Sequence, residues 1–434
     1  MSATPIAIPP LLTALIGHLA AAVPARARTT FTELLVGTAT TRGGHVTDAI
    51  LAAGLTRSWT TYYWFLEYGR WAWLAVWQAL PGILAALFAP TVWYVVIDDT
   101  VVERGSARAP GSLVHHNHTA KPNRPRFVRG WLCLAAVVER GWKVGAVPLM
   151  LRLVRRGANR GKLRSARFLM RLLGDRLGRV RLLLDAWFMR GWLVLAAVAD
   201  GHTVIGRVRR DLALYTVPRP ARGKRRRGRP RKYGERMTRE RIEALPLHRS
   251  AQILYGNLEV VRYRAALVTA RFLKGRVVRA VWVQLERPDR RQGPSEERLL
   301  ICTDPALSAT EIIAGYAKRW AVEPLFAAMK HQFGLKDAWQ QTRQVLMRWV
   351  TLVAAGYALS QILAHLDPAR LPGLADPAPW RPRDARTAGL VQAGFARILS
   401  AVGLPALIKT IPRKLPALDS LGTAASRPET AHAA

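Results

Sequence analysis

The sequence predicts an α/β protein: a mixed sheet flanked by helices, with a helical amino-terminal domain before it and a β-rich insertion within it. Three observations lead there. Residues 31–89 read as helices, residues 91–208 mix short β-branched runs with two helical stretches, and residues 209–303 return to strand-like runs. With 434 residues, half of them apolar, the chain can bury a large core and is long enough for two or three domains. The expected divisions are 1–90, 91–208, 209–303, 304–345 and 346–434.

Residues 1–30 form an Ala/Pro-rich lead without a definite pattern. No basic region precedes its apolar run, so a secretion signal is not expected. Val46 to Ala53, a turn at Gly54-Leu55, and Arg57 to Leu66 suit two readings: a helix-turn-helix with a basic, aromatic second helix, or an ordinary helical hairpin whose Trp and Tyr residues are core. Trp71 to Ile97 carries no charge and has the length of a membrane span. Pro81-Gly82 and Pro90 interrupt it, so the expectation is a helix at 71–80, a short helix at 82–89 and a strand, with no membrane partner.

The strand is Val92 to Ile97, and it ends in Asp98-Asp99-Thr100. A polar loop, Arg104 to Asn123, holds His115, His116 and His118. With no cysteine near, these read as loop residues facing DNA or solvent rather than as a zinc site. Trp131–Val138 and Val144–Leu151 form a hairpin turned at Arg140-Gly141. Lys162 to Leu177 is an amphipathic helix whose outer face carries Arg164, Arg167, Arg171 and Arg176. Val180 to Leu184 is a further strand, ending in Asp185, and a helix follows near 189–199.

Strand-like runs at 257–270, 276–286 and 298–302 make up the insertion. Arg219 to Lys232, at its start, has nine basic residues and no acidic one. Arg227-Gly228-Arg229-Pro230 within it matches the core of an AT-hook, whose arginines enter a narrow minor groove, but the same loop also suits phosphate contact without sequence preference. Toward the carboxyl end, an apolar helix at 346–366 suits core or dimer contact. A Pro-rich linker at 367–385 follows, and the last dozen residues are expected to be disordered.

Charge narrows the partner. Sixty-six Lys and Arg face 28 acidic residues, a formal +38, which calls for a polyanion and first of all nucleic acid. Cys133 and Cys302 show no metal-ligand spacing and fit a reducing compartment.

The most informative segment is a helix opened by the capping box Ser308-Ala-Thr-Glu311, with Ile313, Ala317, Trp320, Ala321 and Leu325 as its apolar face and Gly334 as its stop. Tyr316, Arg319, Glu323 and Lys330 fall within an arc of roughly 60° at about 100° per residue. Such a stripe alone also suits a solvated face with an Arg319–Glu323 ion pair. Combined with an aspartate at the end of each of two strands, it makes a three-carboxylate site suited to hard divalent cations, Mg²⁺ or Mn²⁺. Trp187, Trp320 and Trp339 lie near these motifs and suit either core packing or stacking on a flipped base.

Together these segments resemble a DDE transposase of a bacterial insertion sequence, in the branch marked by Tyr-x2-Arg-x3-Glu-x6-Lys. Tyr316, Arg319, Glu323 and Lys330 match that pattern in full, Asp98-x-Thr100 and Asp185-Ala-Trp-Phe188 fit the other two motifs, and the likeness spans residues 25 to 345. It implies a ribonuclease-H-like core with the first and fourth strands side by side, an amino-terminal DNA-binding domain, and Asp98, Asp185 and Glu323 as catalytic metal ligands. Asp98 and Asp99 compete for the first place: the motif selects Asp98, a shift by one selects Asp99, and alternation on a strand lets only one face the site. Arg319 and Lys330 are implied to grip phosphates, and Tyr316 to position the strand. The implied partners are double-stranded DNA, as terminal inverted repeats and target, and a second copy in a synaptic homodimer, in a bacterial cytoplasm at the nucleoid. A domesticated relative that only binds DNA is the alternative. Pro324 is expected to bend the helix beside the glutamate.

Overall fold

The computed structural model describes residues 7–54, 57–114, 127–154, 158–173, 177–218, 231–286, 296–371, 373–374 and 386–423. Among them, eleven strands form one sheet. In chain order these are β1 (Trp93–Arg104), β2 (Ser112–Val114), β3 (Phe127–Arg140), β4 (Lys143–Leu153), β5 (Val180–Leu184), β6 (Thr203–Val208), β7 (Leu214–Thr216), β8 (His248–Leu254), β9 (Asn257–Ala270), β10 (Val277–Glu286) and β11 (Arg298–Cys302). The helices are α1 (Pro10–Ala21), α2 (Arg28–Thr40), α3 (Val46–Ala53), α4 (Trp59–Glu67), α5 (Trp73–Phe88), α6 (Ala158–Leu173), α7 (Gly191–Ala199), α8 (Arg239–Glu243), α9 (Ala309–Ala317), α10 (Val322–His331), α11 (Arg343–His365), α12 (Ala388–Val402), α13 (Leu404–Lys409) and α14 (Leu418–Thr423).

The centre of the sheet is a parallel trio, β1-β5-β6. Val95, Val96 and Ile97 of β1 and Leu182, Leu183 and Leu184 of β5 are fully buried, as strands covered on both faces must be. Antiparallel wings flank the trio, with β3 beside β1 and β4 and β2 beyond it. On the other side β11 pairs with β6, and β10 and β9 continue outward, so the β-rich segment prolongs the core sheet through the β6–β11 pairing. With helices on its faces this is the expected α/β, ribonuclease-H-like architecture, the first strand lying parallel to the 180–184 strand.

Several local expectations give way to packing. β1 does not stop at Asp98-Asp99-Thr100 but runs to Arg104, because β3 pairs with it as far as the Arg104–Phe127 register. Weak strand formers are carried along by a full ladder of backbone hydrogen bonds. Within the apolar stretch, Trp73–Phe88 is one helix, α5, continuous through Pro81. Its burial against the core and the Trp77 indole donating to Thr351 Oγ1 at 3.0 Å offset the bond that the proline cannot make. The Ala/Pro-rich lead is likewise ordered from Pro10, since Leu12, Leu15, Ile16 and Leu19 of α1 are buried. Beyond the Pro-rich stretch, α12 packs on α2 and α11, and α14 on α5, where no helix was expected.

α11 is the one described helix long and apolar enough to cross a membrane, and 94% of its apolar window is buried inside the fold. It is a core helix, packed on α2 from one side and β4 from the other. Two glycines lock the loop before α3 to the turn after α10. A Cβ on Gly44 would stand 1.9 Å from the Gly334 carbonyl oxygen, and one on Gly334, at φ +72°, 2.2 Å from Gly44 Cα. The Trp349 indole of α11 donates to the Gly44 carbonyl at 2.8 Å.

α3 and α4 stand where the helix pair was expected. Tyr62, Phe65 and Leu66 of α4 are buried, whereas Trp59, Tyr63, Trp64 and the following Tyr68 are exposed. Arg348 of α11, itself buried, holds the carboxyl end of α4 by donating to the carbonyls of Leu66, Glu67, Gly69 and Trp71.

Candidate active site

The last paired residues of β1 and β5 are Ile97 and Leu184, so Asp98 and Asp185 come next on neighbouring parallel strands. Such strands lie roughly 5 Å apart. β5 ends there and its chain turns away. Asp185 closes the turn, Oδ1 accepting from the backbone N–H groups of Trp187 and Phe188 at 3.0 Å each. β1 continues against β3, which leaves Asp98 at the mouth of the opening in the sheet.

Asp98 is buried, and its Oδ1 accepts from the Asp99 N–H at 2.8 Å. Burial pushes its carboxyl up to about 7. The Arg319 guanidinium works against that push, and the nearby Asp185 carboxylate adds to it. Asp99 points the other way, as alternation requires, and forms an ion pair with Lys162 of α6. Of the two candidates for the first position, Asp98 is the one beside Asp185.

The third part is built as expected at its start: the Ser308 hydroxyl accepts from the Glu311 N–H, and the Glu311 carboxylate accepts from the Ser308 N–H at 2.9 Å. The stripe does not lie on one straight helix. α9 ends at Ala317, a 3₁₀ turn covers Lys318–Ala321, and α10 resumes at Val322. Pro324, third residue of α10, has no N–H for the Trp320 carbonyl, so the turn before it tightens, and the bend falls just ahead of Glu323.

The bend brings the stripe over the two aspartates. Arg319 Nη1 donates to Asp98 Oδ2 at 2.6 Å, and Nη2 lies 3.6 Å from Glu323 Oε1, so one guanidinium bridges the first and third carboxylates. Tyr316 is buried; burial raises its phenol, Asp185 raises it further, and Arg319 and Arg207 oppose. Burial pulls the Lys330 ammonium down, while Glu323 and Glu103 of β1 hold it up.

No three of His, Cys, Asp and Glu are grouped closely enough to hold a metal ion among the described residues, and Glu323 pairs with Arg319. The donor chemistry nevertheless fits a hard divalent cation. A buried carboxylate displaced to about 7 beside a second carboxylate lacks full countercharge, of which the Arg319 guanidinium supplies part.

Of the remaining sequence candidates, Arg227, Arg229, His115, His116 and His118 lie outside the described residues. Trp187 packs beneath the Lys162 ammonium, 3.9 Å from its ring centroid. Trp320 is exposed near Tyr255, and Trp339 is exposed beneath the Arg104 guanidinium. Sequence reasoning missed Glu103, Arg207 and Lys162. Lys162 carried a usable signal: it falls on the inward stripe with Ala166, Leu169 and Leu173, all buried, and away from Arg164 and Arg171.

Two carboxylates just beyond the last paired residues of adjacent parallel strands, with a glutamate-bearing helix bridged to the first by Arg319, define an α/β nuclease core of the ribonuclease-H-like type. The family model for "DDE superfamily endonuclease" matches residues 18–254, more than half of the chain, and the chain belongs to that family. The matched segment contains Asp98 and Asp185 and ends before Glu323. No curated protein matches the chain. Membership makes it a transposase-type nuclease with DNA as substrate, in a family that typically uses divalent metals.

Proposed function

We propose that the protein is a DNA transposase that cuts and joins DNA at the ends of a bacterial insertion sequence, with Asp98, Asp185 and Glu323 as its metal-binding carboxylates. The adjacency of Asp98 and Asp185 beyond the Ile97–Leu184 pair carries the reading. Mg²⁺ or Mn²⁺ held there would activate a water or 3′-hydroxyl and stabilise the leaving oxygen of an in-line displacement at phosphorus.

The chain's own residues supply the rest. Arg319 bridges Asp98 and Glu323, and its planar fork would suit a phosphate of the element's end. Lys330 offers a second cation one helical stretch further along the same strand of DNA. Tyr316, buried with the Arg319 guanidinium 6.0 Å from its ring centroid, fixes the wall against which the scissile strand lies. The α3–α4 pair, with its exposed aromatic face, and the basic loop containing Arg227 and Arg229 serve to bind DNA outside the cleft. Two copies, one on each inverted repeat, form the synaptic complex in the bacterial cytoplasm at the nucleoid.

The test is cleavage of a supercoiled plasmid carrying the element's ends, with Mg²⁺ or EDTA, alongside Asp185→Ala and Glu323→Ala. End-specific, metal-dependent nicking lost in both variants supports the reading. Tight DNA binding with no cleavage under any divalent metal would overturn it in favour of a DNA-binding relic.

A further inference from the structure

Lys162 has no place in the chemistry above, yet its position is unusual. It is buried on the inner face of α6, forms an ion pair with Asp99, and sets its ammonium 3.9 Å from the centroid of Trp187 and 5.2 Å from that of Phe188. Those two residues supply the backbone N–H groups that hold Asp185 Oδ1. Their rings meet edge to face at 4.8 Å, and Arg190 donates to the Trp187 carbonyl at 3.0 Å. One cation therefore touches the strand that bears Asp98, through the adjacent Asp99, and also the turn that aims Asp185.

We infer that Lys162 is a positioning residue that clamps the Asp185 turn to β1 and so sets the separation of Asp98 and Asp185. This rests on the proposed metal role of the two aspartates. A buried ammonium is costly unless paired, and here the Asp99 carboxylate and the Trp187 ring face share that task. A neutral side chain would fill the space but leave the Trp187–Phe188 turn free to move relative to β1. The Asp185 carboxylate would then lose its fixed aim while the sheet stayed intact, since the β1–β5 ladder from Trp93–Val180 to Ile97–Leu184 does not involve Lys162. Groups that orient metal ligands in this way typically contribute about 10–100-fold in metal affinity.

The experiment is Mn²⁺ binding to the full-length protein, measured calorimetrically, with thermal melting and duplex-DNA binding recorded in EDTA. The variants are Lys162→Met, the charge-balanced Lys162→Met/Asp99→Leu, and Asp185→Ala. The expected result is Mn²⁺ affinity weakened about tenfold or more in both Lys162 variants, while melting of the double variant and DNA binding in EDTA stay near wild type. The double variant carries the test if the single one does not fold, because it leaves no unpaired buried charge. Mn²⁺ affinity within twofold of wild type in the double variant, with binding abolished by Asp185→Ala, overturns the clamp alone. Unchanged binding in Asp185→Ala overturns the metal site itself and the clamp with it. A double variant that fails to fold overturns the inference too, since Lys162 would then be holding the sheet rather than aiming one side chain.

Discussion

Asp98 and Asp185 stand side by side, one residue beyond the Ile97–Leu184 pair, at the point where two parallel strands separate. Asp99 is one residue away from this arrangement along the chain and on the opposite face, paired with Lys162. Substitution should separate the neighbours. Asp98→Asn and Asp185→Asn are each expected to lower plasmid nicking by about a thousandfold, equivalent to about 4 kcal/mol of barrier, whereas Asp99→Asn should cost roughly tenfold through the turn it steadies. Equal losses at positions 98 and 99 would reassign the first ligand.

Metal binding should follow the Asp98 carboxyl, which burial holds near 7 in the metal-free protein. Below that pH a proton must leave before a cation can bind, so Mn²⁺ affinity should rise about tenfold per pH unit up to 7 and then level off. Proton release measured alongside calorimetric titration at pH 6 and pH 8 checks this. One proton is expected at the lower pH and almost none from this group at the higher.

Arg319 counters burial more than any other group acting on Asp98. Removing it in Arg319→Ala should move the midpoint of that pH profile upward. Loss of one phosphate contact should also reduce the slope of log affinity for duplex DNA against log salt by about 1. A variant with a weakened slope and an unmoved midpoint would show that the guanidinium serves DNA and not the carboxylate.

Stability has a separate titration in His365. Burial first, then Lys143 and Arg140, lower its imidazole to about 4, and the Gln361 carbonyl accepting from Nδ1 at 3.0 Å only partly opposes them. Folded-state depression below 6.5 means the unfolded chain binds the extra proton between those values. The His365 contribution is therefore complete above pH 6.5 and is lost as pH falls toward 4, a change on the order of 3 kcal/mol. Melting temperatures of His365→Gln measured at pH 5 and pH 8 should differ less than those of wild type.

Gly44 and Gly334 touch backbone to backbone, and Gly334 has φ +72° as well. Gly334→Ala therefore faces both strain and a clash, and should destabilise the protein by about 3 kcal/mol, at the upper end of overpacking costs. Chemical denaturation with the slope unchanged and the midpoint lowered is the expected reading.

Much of the site was legible in the sequence because its signals were local. β-branched runs ending in aspartate located Asp98 and Asp185, and the Ser308 capping box located the start of the glutamate-bearing helical segment. What was not legible depended on distant partners. The continuation of β1 to Arg104 comes from β3, the survival of α5 through Pro81 comes from the core around Thr351, and the join of β11 to β6 comes from pairing across nearly a hundred residues. The motif selected Asp98, but a shift by one kept Asp99 in play, and separating them needed the faces of the strand. Lys162 was given no role when the helix was read for its outer arginines, although its phase along α6 marks it as inward.

α11 lies between α2 on one side and β4 on the other, and 94% of its apolar window is buried by them and their neighbours. The amino-terminal helices and the sheet thus share a single hydrophobic wall. Neither side can be exchanged for that of a relative as an independent cassette, because a transplanted amino-terminal segment would have to match the grooves of a helix already shaped to β4. Trimming the amino-terminal helices away should expose that wall to solvent and yield an aggregating fragment rather than a free-standing nuclease.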